Sequence, residues 1–246
     1  MKNILVFGGS SKLAEETIKN VKGPNTKVML AGSNLQKLNT VMNDLKTWNS
    51  DVEFFVYQIN ALEYDRHQQL FDDTIKILGD LDTVLIAHGT LPDNEVVRKS
   101  QELTIKEFNI NCLSVISLCT IAANYFESKK NGTIAVISSV AGERGRQSNY
   151  IYGSAKAGVS AYLQGLRNRM NEFGVNVITI KPGMVKTPMT AGMPDSPLFA
   201  KPEKVGKDIY NALVSKKDVL YTPTYWKLIM AIIKSIPEGI FKKLKL

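Results

Sequence analysis

Short apolar segments alternate with longer amphipathic ones along almost the whole chain, and that alternation sets the fold class. Strand candidates fall at 3–7, 27–31, 52–58, 83–87, 133–138 and 175–180, with a weaker one at 219–221. Between them, apolar residues recur at helical spacing over 12–21, 35–47, 64–78, 101–128, 151–173 and 202–214. Strand–helix–strand units of this kind need right-handed crossovers and build a parallel sheet covered on both faces. No linker, repeat or low-complexity tract divides the 246 residues. The expected architecture is one α/β domain, residues 1–246, doubly wound around a seven-stranded parallel sheet.

A hydrophobic content of 44% with 22% charged residues describes a soluble globular chain. The apolar run at 3–7 meets Gly8-Gly9 at once and is too short for a signal peptide, so the expected compartment is the cytoplasm. Cys112 and Cys119 stand seven apart on one helical face, without metal-ligand spacing, and read as reduced core residues with no metal site. The net charge of +8 comes largely from scattered lysines. No recognition helix or aromatic-basic strand accompanies it, which argues against nucleic acid as a partner.

Chemistry concentrates at Tyr152-Gly153-Ser154-Ala155-Lys156. On a helix, Tyr152 and Lys156 stand at i and i+4 and share a face. An ammonium beside a phenol lowers the phenol's pKa, and a general acid works best when its pKa lies near the working pH. Ser139 stands thirteen residues before the tyrosine, a position suited to holding the same substrate oxygen, while Ser138 ends the strand. His88 reads as a hydrogen-bonded loop residue and His67 as a surface one, and neither is needed as a base.

The first strand runs into Gly8-Gly9-Ser10-Ser11-Lys12-Leu13-Ala14, where a dinucleotide pyrophosphate meets a helix N-terminus. The spacing follows GxxxGxG, with Lys12 in the second glycine position and Ala14 in the third. The second strand ends at Ala31-Gly32-Ser33-Asn34 without the acidic residue that binds ribose hydroxyls and repels a 2′-phosphate. Lys12, Ser33, Asn34 and Lys37 together suit a 2′-phosphate, which tilts cofactor choice toward NADPH over NADH. Asn60, after the third strand, suits either an adenine contact or a surface turn.

With strand, glycine loop, Asn111, Ser139 and the Tyr152/Lys156 pair in this order, the chain resembles the short-chain dehydrogenase/reductases over nearly its whole length. The resemblance implies a Rossmann-type fold and NAD(P)-dependent hydride transfer. It makes Tyr152 the acid/base, Lys156 the residue that lowers its pKa and holds the nicotinamide ribose, Ser139 the holder of the substrate oxygen, and Asn111 the support of a water relay to Lys156. It places Gly8, Ser10, Ser11, Lys12, Leu13, Ser33, Asn34, Asn60, Ala87, Gly89, Pro182, Gly183, Val185 and Thr187 against the cofactor. Two departures stand out: the altered glycine loop, and Ala87-His88-Gly89 where the family carries Asn-Ala-Gly. The family's long helices, here 101–128 and 151–173, imply a homodimer or homotetramer. A narrower likeness, in residues 141–146, 149–156, 187–190 and the tail 236–244, is to the decaprenylphosphoryl-2-keto-pentose reductase branch, which acts on a keto-sugar attached to a polyprenyl phosphate.

Three segments bear on the substrate. Glu143, Arg144 and Arg146 follow Ser139, and fit either phosphate contact by Arg144 and Arg146 or a solvated loop with an internal Glu–Arg pair. Residues 184–204 carry Met184, Met189 and Met193 without periodicity and read as a lid over an apolar ligand or as a plain surface connection. The tail, 225–246, mixes Tyr225, Trp226 and aliphatic residues with Lys227, Lys234, Lys242, Lys243 and Lys245, and Pro237 divides it into two short helices. It suits a helix lying in a membrane interface, or packing on its own domain or a sister subunit.

The functional expectation is a carbonyl reductase acting on a lipid-linked or phosphorylated keto-sugar, in the cytoplasm and at the inner face of the membrane if the tail binds lipid. A 3-ketoacyl-carrier-protein or general carbonyl reductase is the alternative within enzymes. A non-catalytic nucleotide-binding scaffold is the alternative from another class, motivated by the altered glycine loop.

Overall fold

The computed structural model describes residues 1–244; Lys245 and Leu246 of the tail lie outside the described residues. The chain forms β1 (Asn3–Phe7), α1 (Lys12–Ile18), β2 (Thr26–Gly32), α2 (Leu35–Trp48), β3 (Val52–Gln58), α3 (His67–Leu78), β4 (Thr83–Ile86), α4 (Asn94–Val97) and α5 (Gln101–Phe108). A π-helical turn, Asn109–Leu113, leads into α6 (Ser114–Lys129), β5 (Gly132–Ile137), α7 (Tyr150–Asn171), β6 (Val175–Pro182), α8 (Pro202–Val214), β7 (Val219–Thr222), α9 (Tyr225–Ser235) and α10 (Glu238–Phe241). The seven strands form one parallel sheet in the order β3-β2-β1-β4-β5-β6-β7. The expected doubly wound sheet is therefore the observed one.

Successive strand residues face opposite sides, and the sequence uses both faces for apolar packing. Leu5, Phe7, Met29, Val84 and Ile134 join Leu70 and Phe71 of α3, Leu118 and Phe126 of α6 and Leu163 of α7 in one core. Ile4, Val6, Val28, Leu30 and Ile178 join Ala14 of α1, Leu38 of α2 and Val205 and Ile209 of α8 in the other. Cys112 and Cys119 are buried and free, as expected of core thiols.

The chain order reverses between β1 and β4, so their carboxyl ends open the crevice where such sheets bind ligands. Gly8, Ser33, Asn60, Ala87, Ser139 and Gly183 all stand just beyond strand ends, and all line that crevice.

Three local features differ from expectation. The single helix expected over 101–128 is broken into α5 and α6 by the π turn, which widens the backbone around Asn111. The short α4 forms where the Asp93 side chain accepts from Glu95 N at 2.8 Å. His67, expected at the surface, is fully buried: it opens α3, pairs with the Ser117 hydroxyl at 2.9 Å and meets the Phe7 and Tyr64 rings edge-on. A helix start facing the core reverses the exposure that a polar local sequence suggests.

The tail folds back on the domain. Pro237 ends α9 and precedes α10, and Trp226 and Met230 of α9 are buried with Val140, Met184 and Tyr221.

Candidate active site

The site is built on α7 and the loop after β5. Tyr152 and Lys156 lie one helical turn apart, with Lys156 Nζ 5.7 Å from the Tyr152 ring centroid. Lys156 is buried and donates to Ile137 O at 3.1 Å, so the last residue of β5 fixes its reach. Ser138 is structural: its hydroxyl meets Lys156 O at 3.1 Å and Ser160 Oγ at 2.8 Å. Ser139 caps the short turn Val140–Glu143, accepting from Ala141 N at 3.0 Å, and its hydroxyl faces the Tyr152 phenol.

Burial decides the proton affinities here. It pushes the Tyr152 phenol up to about 12, against the opposing pull of the Ser139 hydroxyl. It pulls the Lys156 ammonium down to about 8. With burial the larger influence, the phenol holds its proton in this pocket. His88 is pushed down to about 3 by burial and then by Lys156, so it is a neutral ring; its Nε2 pairs with Ser114 Oγ at 2.7 Å.

These groups open into a cleft of about 710 Å³ that runs from the glycine loop to the tail. Gly8, Ser10, Ser11, Lys12, Leu13, Ser33, Asn60, Ala87, Gly89, Tyr152, Lys156, Pro182, Gly183, Val185 and Thr187 all line it, as do Ser139, Arg146, Met184 and Met189. Gly8 has φ +83, and a Cβ there would stand 2.4 Å from His88 N, so no side chain fits between β1 and the β4 loop. The turn after β1 thus packs directly on the β4 loop, and Gly8 is the residue that allows it. Lys12 folds away along α1, 2.7 Å from Glu15 and 2.8 Å from Glu16.

Three expected site residues lie outside the cleft lining. Asn34 caps α2, accepting from Lys37 N at 2.9 Å, and lies outside the cleft lining. Asn111 sits behind the site, where its Oδ1 accepts from Thr90 N at 3.0 Å and its Nδ2 donates to Thr90 Oγ1 at 2.9 Å and Glu107 O at 3.1 Å. Arg144 turns away from the cleft to hold the tail. It donates to Ile233 O at 2.7 Å and Ile236 O at 2.6 Å, pairs with Glu238 at 3.0 Å and stacks 3.6 Å from the Phe241 ring centroid. Glu143 likewise pairs with Lys181, Lys234 and the Tyr221 hydroxyl rather than with a neighbouring arginine. A helix end with free carbonyls is the partner that a local reading of the loop lacks.

The segment 184–204 is joined to itself at its base, where Lys186 N donates to Ala200 O at 3.0 Å and Ala200 N to Met184 O at 2.9 Å. Trp226 is the cleft residue whose position was unforeseen: it reads locally as an interface aromatic, yet it forms part of the cleft wall. Its only signal was the pairing of Trp226 and Met230 on one face of α9.

A parallel doubly wound sheet carrying a serine, a tyrosine and a lysine beside a glycine turn defines a nucleotide-dependent oxidoreductase. The family model described as short chain dehydrogenase matches residues 2–197, and the chain belongs to that family, whose members use NAD(P). It is 27% identical over 241 residues to an uncharacterized oxidoreductase of Mycobacterium tuberculosis, covering 98% of this chain and 96% of that one. It is 26% identical over 244 residues to an uncharacterized oxidoreductase of Streptomyces coelicolor, covering 99% and 96%. Carbonyl reductase family member 4 of Xenopus laevis is 22% identical over 218 residues, covering 85% and 90%. The crystal structure of levodione reductase superposes with a TM-score of 0.79 at 17% identity, covering 89% of this chain and 95% of that one, and shares the fold.

Proposed function

We propose that this enzyme reduces a carbonyl to an alcohol with NAD(P)H, using Tyr152 as the proton donor. The observation that carries the reading is the presence of Ser139, Tyr152 and Lys156 in one cleft with the Gly8 turn and Gly183. The residues around Gly8, Ser33, Asn60 and Pro182–Thr187 suit a dinucleotide, and the nicotinamide supplies the hydride when bound. Ser139 and Tyr152 both donate to the substrate oxygen, which gathers negative charge as the carbonyl is reduced. Tyr152 then gives up its proton to that oxygen, and the buried Lys156 ammonium stabilises the phenolate left behind. Asn111, held by Thr90 and Glu107, supports the water relay to Lys156 rather than touching the substrate.

The substrate class we favour is a lipid-linked or phosphorylated keto-sugar. The tail likeness supports it, and so does the outer face of α9, where Tyr225, Leu228 and Ile232 are exposed beside Lys227 and Lys234. That face suits contact with an anionic membrane at the inner side, or with a second copy in a homodimer or homotetramer. The lack of an acidic residue after β2 favours NADPH.

The test is NADPH oxidation with a keto-sugar joined to a polyprenyl phosphate and with a 3-ketoacyl thioester. Faster turnover of the keto-sugar supports the substrate reading; faster turnover of the thioester replaces it. The variant Tyr152→Phe should bind NADPH and lose about a hundredfold or more in turnover. Near-normal turnover in that variant would sink the mechanism.

A further inference from the structure

Two donors in the cleft wall have no partner among the described residues: the Trp226 indole N–H and the Arg146 Nε–H. Neither lies on the glycine-loop side. Trp226 is 4% exposed and is seated among Val140, Met184, Tyr221 and Met230, against Gly183. Arg146 follows the Ser139 turn and leads, through Asn149, into the first turn of α7.

The neighbouring charges leave Arg146 alone. Glu143, the one acid in this loop, is held by Lys181, Lys234 and Tyr221. Arg144 is engaged with the tail carbonyls and Glu238. Among the described residues no carboxylate pairs with the Arg146 guanidinium, and burial lowers its pKa. A buried donor without a partner costs about 1–3 kcal/mol. Each such group calls for an explanation, and in a cleft wall a bound ligand supplies one. The Ser139 and Tyr152 hydroxyls take the carbonyl oxygen, and both donors stay unpartnered just beneath the cleft surface.

We propose that Arg146 and Trp226 form a substrate subsite for an oxyanion, so that the enzyme selects ketones carrying a phosphate ester or a carboxylate. Arg146 receives the anion by charge-assisted hydrogen bonds, and Trp226 donates to an oxygen of the same substrate. This rests on the carbonyl-reductase reading above and adds to it two specificity-determining residues on separate elements. It also divides the arginines of the loop by role, one anchoring the tail and one facing the substrate.

The experiment is calorimetric titration of the NADP⁺-saturated protein with a ketopentose phosphate, the unphosphorylated ketopentose and a keto acid of similar length. The NADP⁺ keeps the glycine-loop anion site filled. Wild-type protein should prefer the anionic ligands by tenfold or more, equivalent to about 1.4 kcal/mol. Phosphate preferred over carboxylate, or the reverse, identifies the anion.

Arg146→Met should abolish the preference and Arg146→Lys should restore part of it. Trp226→Phe, which keeps the ring and removes the N–H, should weaken the anionic ligands severalfold. No preference in wild type, or a preference kept in Arg146→Met, overturns the subsite. A fall in NADP⁺ affinity in Arg146→Met, in place of the loss of preference, overturns it too, since the guanidinium would then serve the cofactor. Titration needs no turnover, so an anion preference without reduction of any ketone would sink the reductase reading alone. Reduction of both sugars without preference would sink the subsite alone.

Discussion

A Cβ built on Gly183 would stand 1.9 Å from the indole Nε1 of Trp226, so the turn after β6 and the start of α9 share one surface. Two segments far apart in sequence thus form a single wall of the cleft. Gly183→Ala should displace the indole, at about 1–3 kcal/mol of stability, the usual cost of overpacking. Trp48 is 62% exposed and already solvated, so a red shift in tryptophan emission on Gly183→Ala reports Trp226 alone. An unshifted spectrum with an unchanged unfolding midpoint would mean that α9 does not rest on Gly183.

Lys156 gives the enzyme an alkaline limb. Its folded pKa of about 8 lies below the ordinary value of 10.5. Above about pH 8 the free enzyme loses the ammonium that stabilises the tyrosinate, so kcat/KM for reduction should be flat below that pH and fall about tenfold per unit above it. Stability should move the other way. Between about pH 8 and 10.5 the unfolded chain holds a proton that the folded one has released, so stability rises with pH across that window. Lys156→Met should remove that rise in denaturant titrations.

Much of this architecture is legible from local pattern, because local chemistry determines it. Residues 52–58 and 202–214 read as a strand and a helix from apolar spacing, and both have those bounds in the structure. The register of Ser139, Tyr152 and Lys156 is legible because one strand end and one helix position all three. What stays hidden depends on partners distant in the chain. Arg144 looks like a phosphate ligand until the carbonyls of Ile233 and Ile236, about ninety residues on, come within reach. His67 looks solvated until Ser117 and Phe7 surround it. Asn111 looks like an ordinary helix residue until Thr90, twenty-one residues earlier, comes within hydrogen-bond reach beside the π turn.

Glu143 joins the loop after β5 to β6, β7 and α9 at once. Burial opposes its charge, but hydrogen bonds from Lys181, Lys234 and Tyr221 prevail and hold it down to about 2. Its stabilising effect is therefore complete above the ordinary carboxylate value of 4.5 and disappears as pH falls toward about 2. Glu143→Gln should lose about 3 kcal/mol at neutral pH, because Lys181 is left buried without its counter-charge. The gap between wild type and variant should close as pH falls from 4.5 to 2, measured by chemical denaturation. A gap that is constant with pH would assign the effect to packing.

Cofactor choice depends on the end of β2. Ser33 lines the cleft at the end of β2, where the proposed reading puts the adenine ribose, and no acidic residue follows it in Ser33-Asn34-Leu35. Lys12, the nearest candidate cation in the glycine loop, is turned onto Glu15 and Glu16, and Asn34 is occupied in capping α2. On the NADPH reading proposed above, a 2′-phosphate is accepted mainly because nothing repels it. Ser33→Asp introduces the repulsion: a carboxylate there should weaken NADPH by about tenfold or more while sparing or improving NADH, through like-charge contact and new bonds to the ribose hydroxyls. Fluorescence titration of both reduced cofactors against wild type and variant reads the ratio directly. Equal weakening of both would place the adenine ribose away from Ser33, and an unchanged ratio would mean that Lys12 leaves its carboxylates to hold the phosphate.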